Sequence, residues 1–585
     1  MIEVKMMKKR MKQWVGAVLA GSLLVGGLIG CSGSSDSVNS NTAVSSGQSE
    51  GMGQDTEAKK DEYIKQVSER QIVVPDKTDK YRTFYEVFVY SYCDSDGDGI
   101  GDLAGLTEKL DYLNDGDLST DTDLGVTGIW LMPIMPSTTY HKYDVKDYMN
   151  IDPSYGTLED FDKLIAECNK RNINVIVDLV MNHTSAQHPW FQDACAYLKE
   201  LGDGEPDLNV CPYVGYYNFS KEALGGYAPL EGTDWYYEAR FWDQMPDLNL
   251  DNEAVRDEFK EICQFWLDRG VSGFRLDAVK EYKTDKTSDN VEILSWLNDM
   301  VKAIYPDAYL VGEAWTNQSE YAKYYESGID SLFDFAYADK DGRIAKAVNG
   351  LVTADAYGKS LEEEEALYAS KNENYINAPF YTNHDLARGA GYYSGDYSDN
   401  KIKIAAAMNL FMSGNAFIYY GEEIGMKGAG ADENKRLAMI WSKDASAEGM
   451  CKGPEAAKPV KMKYGSVDEQ QKDGTSVYQY YKDAIRIRNQ FPAIVKGETS
   501  YVESTSNDTL CVIEKSYDKE KVCIFYNLSE QSSKVQLGEV SLSNQENLTE
   551  EMLEATLVTT KEGVTITNGV MTMPAYSVAV YLVSE

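Results

Sequence analysis

The sequence predicts an α/β protein: a (β/α)8 barrel with a small inserted domain after its third strand and a C-terminal antiparallel β-sandwich. Three observations predict it. Between Arg82 and Tyr420, short β-rich apolar runs alternate with amphipathic stretches, the rhythm of βα units around a parallel sheet. Between the third and fourth runs, residues 184–245 form a Gly-, Pro- and aromatic-rich excursion too long for a simple loop. Beyond Pro492 the pattern changes to the alternation of half-buried antiparallel strands.

The eight runs are Thr83–Tyr90, Thr127–Pro133, Ile173–Leu179, Gly273–Asp277, Ala308–Gly312, Ser331–Phe335, Ala378–Tyr381 and Ala416–Tyr420. Helical periodicity lies between them at Glu159–Lys170, Asn252–Asp268, Glu292–Ile304 and Lys401–Met412. The barrel thus occupies 76–183 and 246–492, the insert 184–245 and the sandwich 493–585, where Thr509–Lys515, Lys521–Leu528, Val564–Thr567 and Ser577–Leu582 read as strands. A barrel of this kind assembles its site just past the strand C-termini.

The N-terminus reads as an address. Lys5, Lys8, Lys9, Arg10 and Lys12 precede an apolar stretch from Trp14 to Ile29, the layout of a secretory signal, too short and Gly-rich for a membrane anchor. It ends in Leu28-Ile29-Gly30-Cys31, which resembles a bacterial lipoprotein box whose cysteine receives a diacylglyceryl group. Residues 1–31 are therefore expected to be a signal with Cys31 as the lipidation site, and 32–75 a flexible tether. The expected location is the outer face of the cell membrane, with the folded body a monomer on its leash.

The formal net charge of -38, from 94 acidic and 56 basic side chains, argues against a nucleic-acid partner and suits a neutral substrate or Ca2+. The 42 Tyr and 9 Trp supply flat amphipathic faces suited to sugar rings. Nine cysteines show no CxxC pair and no histidine at zinc spacing, so free buried thiols are expected, although Cys195 and Cys211 can bridge a loop.

Chemistry gathers at the predicted strand ends. His141, His183 and His384 stand there, while the fourth histidine, His188, lies in the insert. Asp277 ends the fourth strand, Glu313 the fifth, and Asp385 follows the seventh. Cleavage of a glycosidic bond with retention needs a carboxylate nucleophile and a protonated carboxyl about 5 to 5.5 Å away. Arg275, two residues before Asp277, faces the same side of its strand and can hold that carboxylate ionised. In DSDGDGIGD, Asp94, Asp96, Asp98 and Asp102 alternate with turn-forming glycines, and Ile100 can offer its carbonyl; this density of hard oxygens favours Ca2+.

The ordered motifs DLVMNH (178–183), GFRLDAVK (273–280), GEAW (312–315) and TNHD (382–385), with MPDLN (245–249) and GIWLMPI (128–134), resemble those of the α-amylase family, glycoside hydrolase family 13. The resemblance spans about residues 82–490. It implies Asp277 as nucleophile, Glu313 as general acid/base and Asp385 as a third carboxylate that holds sugar hydroxyls. It implies further that His183 and His384 bond hydroxyls of the same sugar, that Tyr143 stacks on its ring near His141, and that Asp432 and Arg436 grip it. Asp178 would anchor the barrel mouth. It also implies a second Ca2+ beside Asn182, between barrel and insert.

Where many members carry Lys-His, this chain has Lys280-Glu281, which alters the contact to the leaving-side sugar. The reading that follows is an endo-acting α-amylase on the α-1,4 bonds of starch-type α-glucans and maltooligosaccharides. An exo-acting α-glucosidase or neopullulanase-like enzyme is the alternative, since Asp144 stands where exo-acting members bind a chain-end hydroxyl, as some endo-acting ones also do. A non-catalytic glucan-binding lipoprotein would be expected to lack one of the three carboxylates present here.

Overall fold

The computed structural model describes residues 68–284, 286–543 and 547–585. Strands β1 (Thr83–Val87), β2 (Gly128–Leu131) and β3 (Asn174–Leu179) precede the insert, whose short strands are β4 (Phe219–Ser220), β5 (Tyr227–Pro229) and β6 (Tyr236–Glu238). After it come β7 (Gly273–Leu276), β8 (Tyr309–Gly312), β9 (Ser331–Leu332) and β10 (Ala416–Tyr419). The parallel sheet runs β10-β1-β2-β3-β7-β8-β9. It is the curled sheet of a (β/α)8 barrel, as predicted.

The predicted seventh strand, Ala378–Tyr381, forms only two parallel bridges, Phe333 to Ala378 and Phe380 to Phe417, which join the sheet's two edges. The Ala378 amide donates to the Asn377 side chain at 2.8 Å instead of to a neighbouring strand, so no full ladder develops. β1 likewise stops at Val87, because the Ser91 and Tyr92 amides turn back onto the Phe88 and Val89 carbonyls.

Side chains fill the barrel, and Phe84 stacks between Tyr309 (5.4 Å) and Phe417 (4.8 Å). Gly128 makes room for that ring: a Cβ there would lie 2.5 Å from Phe84. Outside, the helix Leu158–Lys170 starts in a Thr157–Asp160 capping box and buries Phe161, Leu164, Ile165 and Cys168, one stripe of helical period. Helix Glu253–Asp268 does the same with Val255, Phe259, Ile262 and Trp266. The helix expected at Glu292 begins earlier, at Thr287, and the one expected at Lys401 begins at Ser398.

The insert pairs helix Pro189–Leu201 with the antiparallel sheet β4-β6-β5 around an aromatic core of Phe191, Tyr217 and Tyr237. Cys195 and Cys211 are buried free thiols, not a bridge, and so are the other six described cysteines. The C-terminal strands are β11 (Glu498–Tyr501), β12 (Leu510–Tyr517), β13 (Glu520–Asn527), β14 (Ser533–Gln536), β15 (Leu553–Leu557), β16 (Thr565–Thr567), β17 (Val570–Met573) and β18 (Ser577–Ser584). They form antiparallel sheets of order β11-β12-β13-β18-β15 and β14-β17-β16, packed over their own core.

The expected tether ends earlier than residue 75. Gln490 donates to the Ser68 and Arg70 carbonyls, Arg70 pairs with Glu520 at 3.0 Å, and the Val73 amide bonds the Asn489 carbonyl. Cys31 and the signal lie outside the described residues. No helix among the described residues is long and apolar enough to cross a membrane.

Candidate active site

The register of the barrel builds the site. Asp178 on β3 sits directly beside Arg275 on β7, and Arg275 beside Val311 on β8, so the residues that end these strands converge. The Arg275 guanidinium, 1 % exposed, is the hub: Nη1 lies 2.7 Å from Asp178 Oδ1 and 2.6 Å from Asp277 Oδ1, and Nη2 lies 3.0 Å from Glu313 Oε2. It is not among the residues that line the cleft, and its ion pairs position the carboxylates that do. Just past Asp277 the chain turns left-handed at Ala278 (φ 47°), a strained choice for a residue with a side chain. The turn brings the Ala278 amide to within 3.2 Å of Glu313 Oε2.

Glu313 is held above the ordinary carboxylate range, first by burial and then by the negative charges of Asp277 and Asp385, with Arg275 opposing. A carboxyl poised in that direction can donate a proton to a departing oxygen. Asp385 shifts the other way. Burial works against its charge, but His384, 3.1 Å from Oδ2, and Arg436, 2.7 Å from Oδ1, outweigh it and keep it ionised.

His384 stacks on Tyr143 (centroids 5.5 Å apart), whose hydroxyl lies 2.8 Å from Nε2 and donates to Asp178 at 3.1 Å. On its far side Nδ1 lies 2.6 Å from Glu86 Oε1. Burial disfavours the imidazolium, yet Asp385 and Glu86 together bring its pKa up to about 9. The other histidines move oppositely: burial lowers His141 and His188 to about 4, and lowers His183.

The cleft, about 380 Å3, is lined by Asp277, Glu313, Asp385, Tyr143, His183 and Lys280, together with Glu281, Phe241, Met245 and Trp315. The buried His183 Nε2 has no partner within the protein and sits at this wall. Lys280 pairs with Glu281 at 3.2 Å. Phe241 and Trp315 expose about half their surface, the first against His183 and the second stacked on Phe335. Of the insert aromatics, Trp235 and Tyr237 are packed inside, while Trp242 is exposed.

Other sequence candidates fall elsewhere. Asp144 is wholly buried; it accepts hydrogen bonds from Ser137, Thr138, Thr139 and Ser185, which ties the loop before Tyr143. His141 accepts from the Tyr143 amide at 3.2 Å. Asp432 is exposed and pairs with Lys435, whose ammonium donates to the Asp385 carbonyl at 2.7 Å; Arg436 alone of the 432–436 pair reaches the third carboxylate.

Carboxylate oxygens of Asp94, Asp96 and Asp102 lie within 4.8 Å of one another. Asp98 is not part of that group and accepts from the Ile100 amide at 2.6 Å. Asn182 donates to Asp247 at 3.1 Å, so an amide–carboxylate bond joins the two barrel segments that flank the insert, where a second metal was expected, and among the described residues no cluster of three His, Cys, Asp or Glu side chains surrounds it.

Sequence reasoning missed Glu86, a lone carboxylate in the apolar run TFYEV, and Phe241. The first left a visible signal, because a buried strand carries a charge only when something pairs with it.

Residues 86–497 match the alpha-amylase catalytic-domain model. The chain is 38 % identical to Alpha-amylase 3 of Dictyoglomus thermophilum over 77 % of this chain and 85 % of that one. It is 30 % identical to a glucan 1,6-alpha-glucosidase of Streptococcus pneumoniae, over 76 % and 90 %. The solved structure of Eubacterium rectale Amy13B superposes with a TM-score of 0.83 at 50 % identity, covering 88 % of this chain and 97 % of that one.

With only four histidines in the chain, imidazole titration by NMR is a direct check. One resonance should titrate near pH 9 and the others below 6.5. Since the folded pKa of His384 exceeds its unfolded value, its contribution to stability is complete below about 6.5 and is lost as pH rises through about 9. Glu86→Gln should bring the high resonance down and flatten that alkaline loss; an unmoved resonance would sink the assignment.

Proposed function

The chain belongs to the α-amylase family of glycoside hydrolases, and from that premise we propose that it is an endo-acting α-amylase cleaving α-1,4 bonds of starch-type glucans with retention. The observation that carries the chemistry is the division of three carboxylates between two environments: Asp277 and Glu313 on Arg275, Asp385 on His384 and Arg436. Asp277 attacks the anomeric carbon while Glu313 gives its proton to the leaving oxygen, which breaks the glycosidic bond. Water then enters, Glu313 takes a proton from it, and the resulting hydroxide displaces Asp277 from the anomeric carbon. Asp385 and His183 would hold hydroxyls of the sugar in between. The burial of Asp144 supports internal cleavage, since its carboxylate is already committed to loop hydroxyls. The exposed faces of Phe241 and Trp315 offer stacking surface on either wall.

Two further parts complete the proposal. The oxygens of Asp94, Asp96 and Asp102 fit a hard cation, and Ca2+ there would offset two of the three crowded negative charges. Cys31 would carry the lipid that keeps the enzyme at the outer membrane face.

A time course on soluble starch, with pullulan and maltotriose in parallel, tests the first part. Mid-length maltooligosaccharides should appear at once, and Asp277→Ala should lower the rate by at least about 10^4. Glucose alone from the start would make the enzyme an exo-acting α-glucosidase, and panose from pullulan a neopullulanase-like one. For the cation, chelation should lower the melting temperature and added Ca2+ restore it, with Asp96→Asn abolishing the response; a chelator-insensitive wild type would refute the site. Cys31→Ser should move the protein from the membrane fraction to the medium, and unchanged fractionation would refute the anchor.

A further inference from the structure

Two buried carboxyls with no part in the chemistry above, Glu422 and Glu423, stand side by side in the turn after β10. Gly421 opens that turn at a left-handed φ of 79°, where a Cβ would lie 2.3 Å from Met426 Sδ. Hydroxyls hold both acids. Glu423 Oε1 accepts from Tyr85 and Tyr112, each at 2.7 Å, which pins the turn to β1. Glu422 accepts from Tyr481 at Oε1 (2.9 Å) and from Thr382 at Oε2. The charge of Arg388 acts on both acids, yet its Nη1 and Nε donate to the Tyr420 and Lys435 carbonyls. Burial accordingly pushes Glu422 up to about 8, against the pull of its two hydroxyls.

A carboxyl kept in such surroundings costs stability that an apolar side chain would not. Its bond to Thr382 reaches the site. Thr382 is buried and opens the segment Thr382-Asn383-His384-Asp385. Asn383 folds that segment back on itself by accepting from the Asp385 and Leu386 amides, each at 3.0 Å. One end of this turn is thus held by Glu422, and the other by Lys435 and Arg436, which donate to the Asp385 and His384 carbonyls at 2.7 and 3.2 Å. Neither Glu422 nor Thr382 lines the cleft, so any effect on the sugar passes through Asp385, which does.

We propose that Glu422 is a positioning residue for the third carboxylate: its bond to the Thr382 hydroxyl fixes the turn that places Asp385 in the cleft. The inference rests on the part given to Asp385 in the proposed function. Two donors reach two different oxygens of Glu422. An amide can imitate that arrangement, with its oxygen toward Thr382 and its nitrogen toward the Tyr481 oxygen, and an apolar side chain cannot.

Full-length Glu422→Leu, Glu422→Gln and Thr382→Val chains test it, by kinetics on a chromogenic maltotrioside and by NMR titration of His384. Since Asp385 would tighten on the sugar in the transition state, Glu422→Leu should lower kcat about tenfold and change KM less than about twofold. Thr382→Val should do the same, and the double variant should be no worse than either single one, as expected of two groups acting through one bond. Glu422→Gln should recover most of the loss. Asp385 is the charge that most raises His384, so Glu422→Leu and Thr382→Val should also bring its resonance down from about 9. A lowered melting temperature with kcat and the resonance as in wild type, or losses that add in the double variant, overturns the proposal. If Glu422→Leu does not fold, Thr382→Val decides by the same two readouts. A wild-type chain inactive on every α-glucan would instead overturn the proposed function, and the resonance would still decide whether Glu422 positions Asp385.

Discussion

One buried guanidinium governs the mouth of this barrel. Three carboxylates, Asp178, Asp277 and Glu313, stand on Arg275 in a place from which water is nearly excluded. A single positive charge against three potential negative ones leaves an excess that only protonation can relieve, and Glu313, partly capped by the Ala278 amide, is pushed toward it. The parallel register sets this up, since Asp178 and Arg275 are partners across β3 and β7. The burial and the neighbouring charges that push Glu313 up are thus set by where the strands end, with little help from loops.

A second cation pair answers the first. His384 and Arg436 hold Asp385, and Glu86 holds His384 from behind, so the third carboxylate stays charged within reach of its neighbours. Tyr143 joins the two halves through Asp178 and His384. Mutation at any of these residues is coupled to the others, and their effects will not add.

Most of this was legible because chemistry-bearing residues terminate apolar runs. Asp277, Glu313 and Asp385 declare themselves by being carboxylates where a buried strand stops. Asp98 and Asp144 show the converse: residue type suggested a ligand and a sugar contact, whereas Asp98 stands outside the group formed by Asp94, Asp96 and Asp102, and the Asp144 oxygens accept from groups a few residues away, a local capture that leaves no mark on composition. The Ala378–Tyr381 run has the right residues for a strand yet makes bridges only, because the Asn377 side chain takes the amide that would start a ladder. Phe241 was hidden in an insert rich in aromatics, where Trp235 and Tyr237 pack inward and spacing alone does not say which ring faces the cleft.

The eight described cysteines lie buried, unpaired and scattered through all three parts of the fold. Burial pushes the thiols of Cys93 up to about 11 and those of Cys168 and Cys195 up to about 12, so almost none is ionised near neutrality. No cross-link among them contributes to the packing. The fold these residues make therefore asks for no disulfide-forming oxidant, and a reducing environment removes no bond from it.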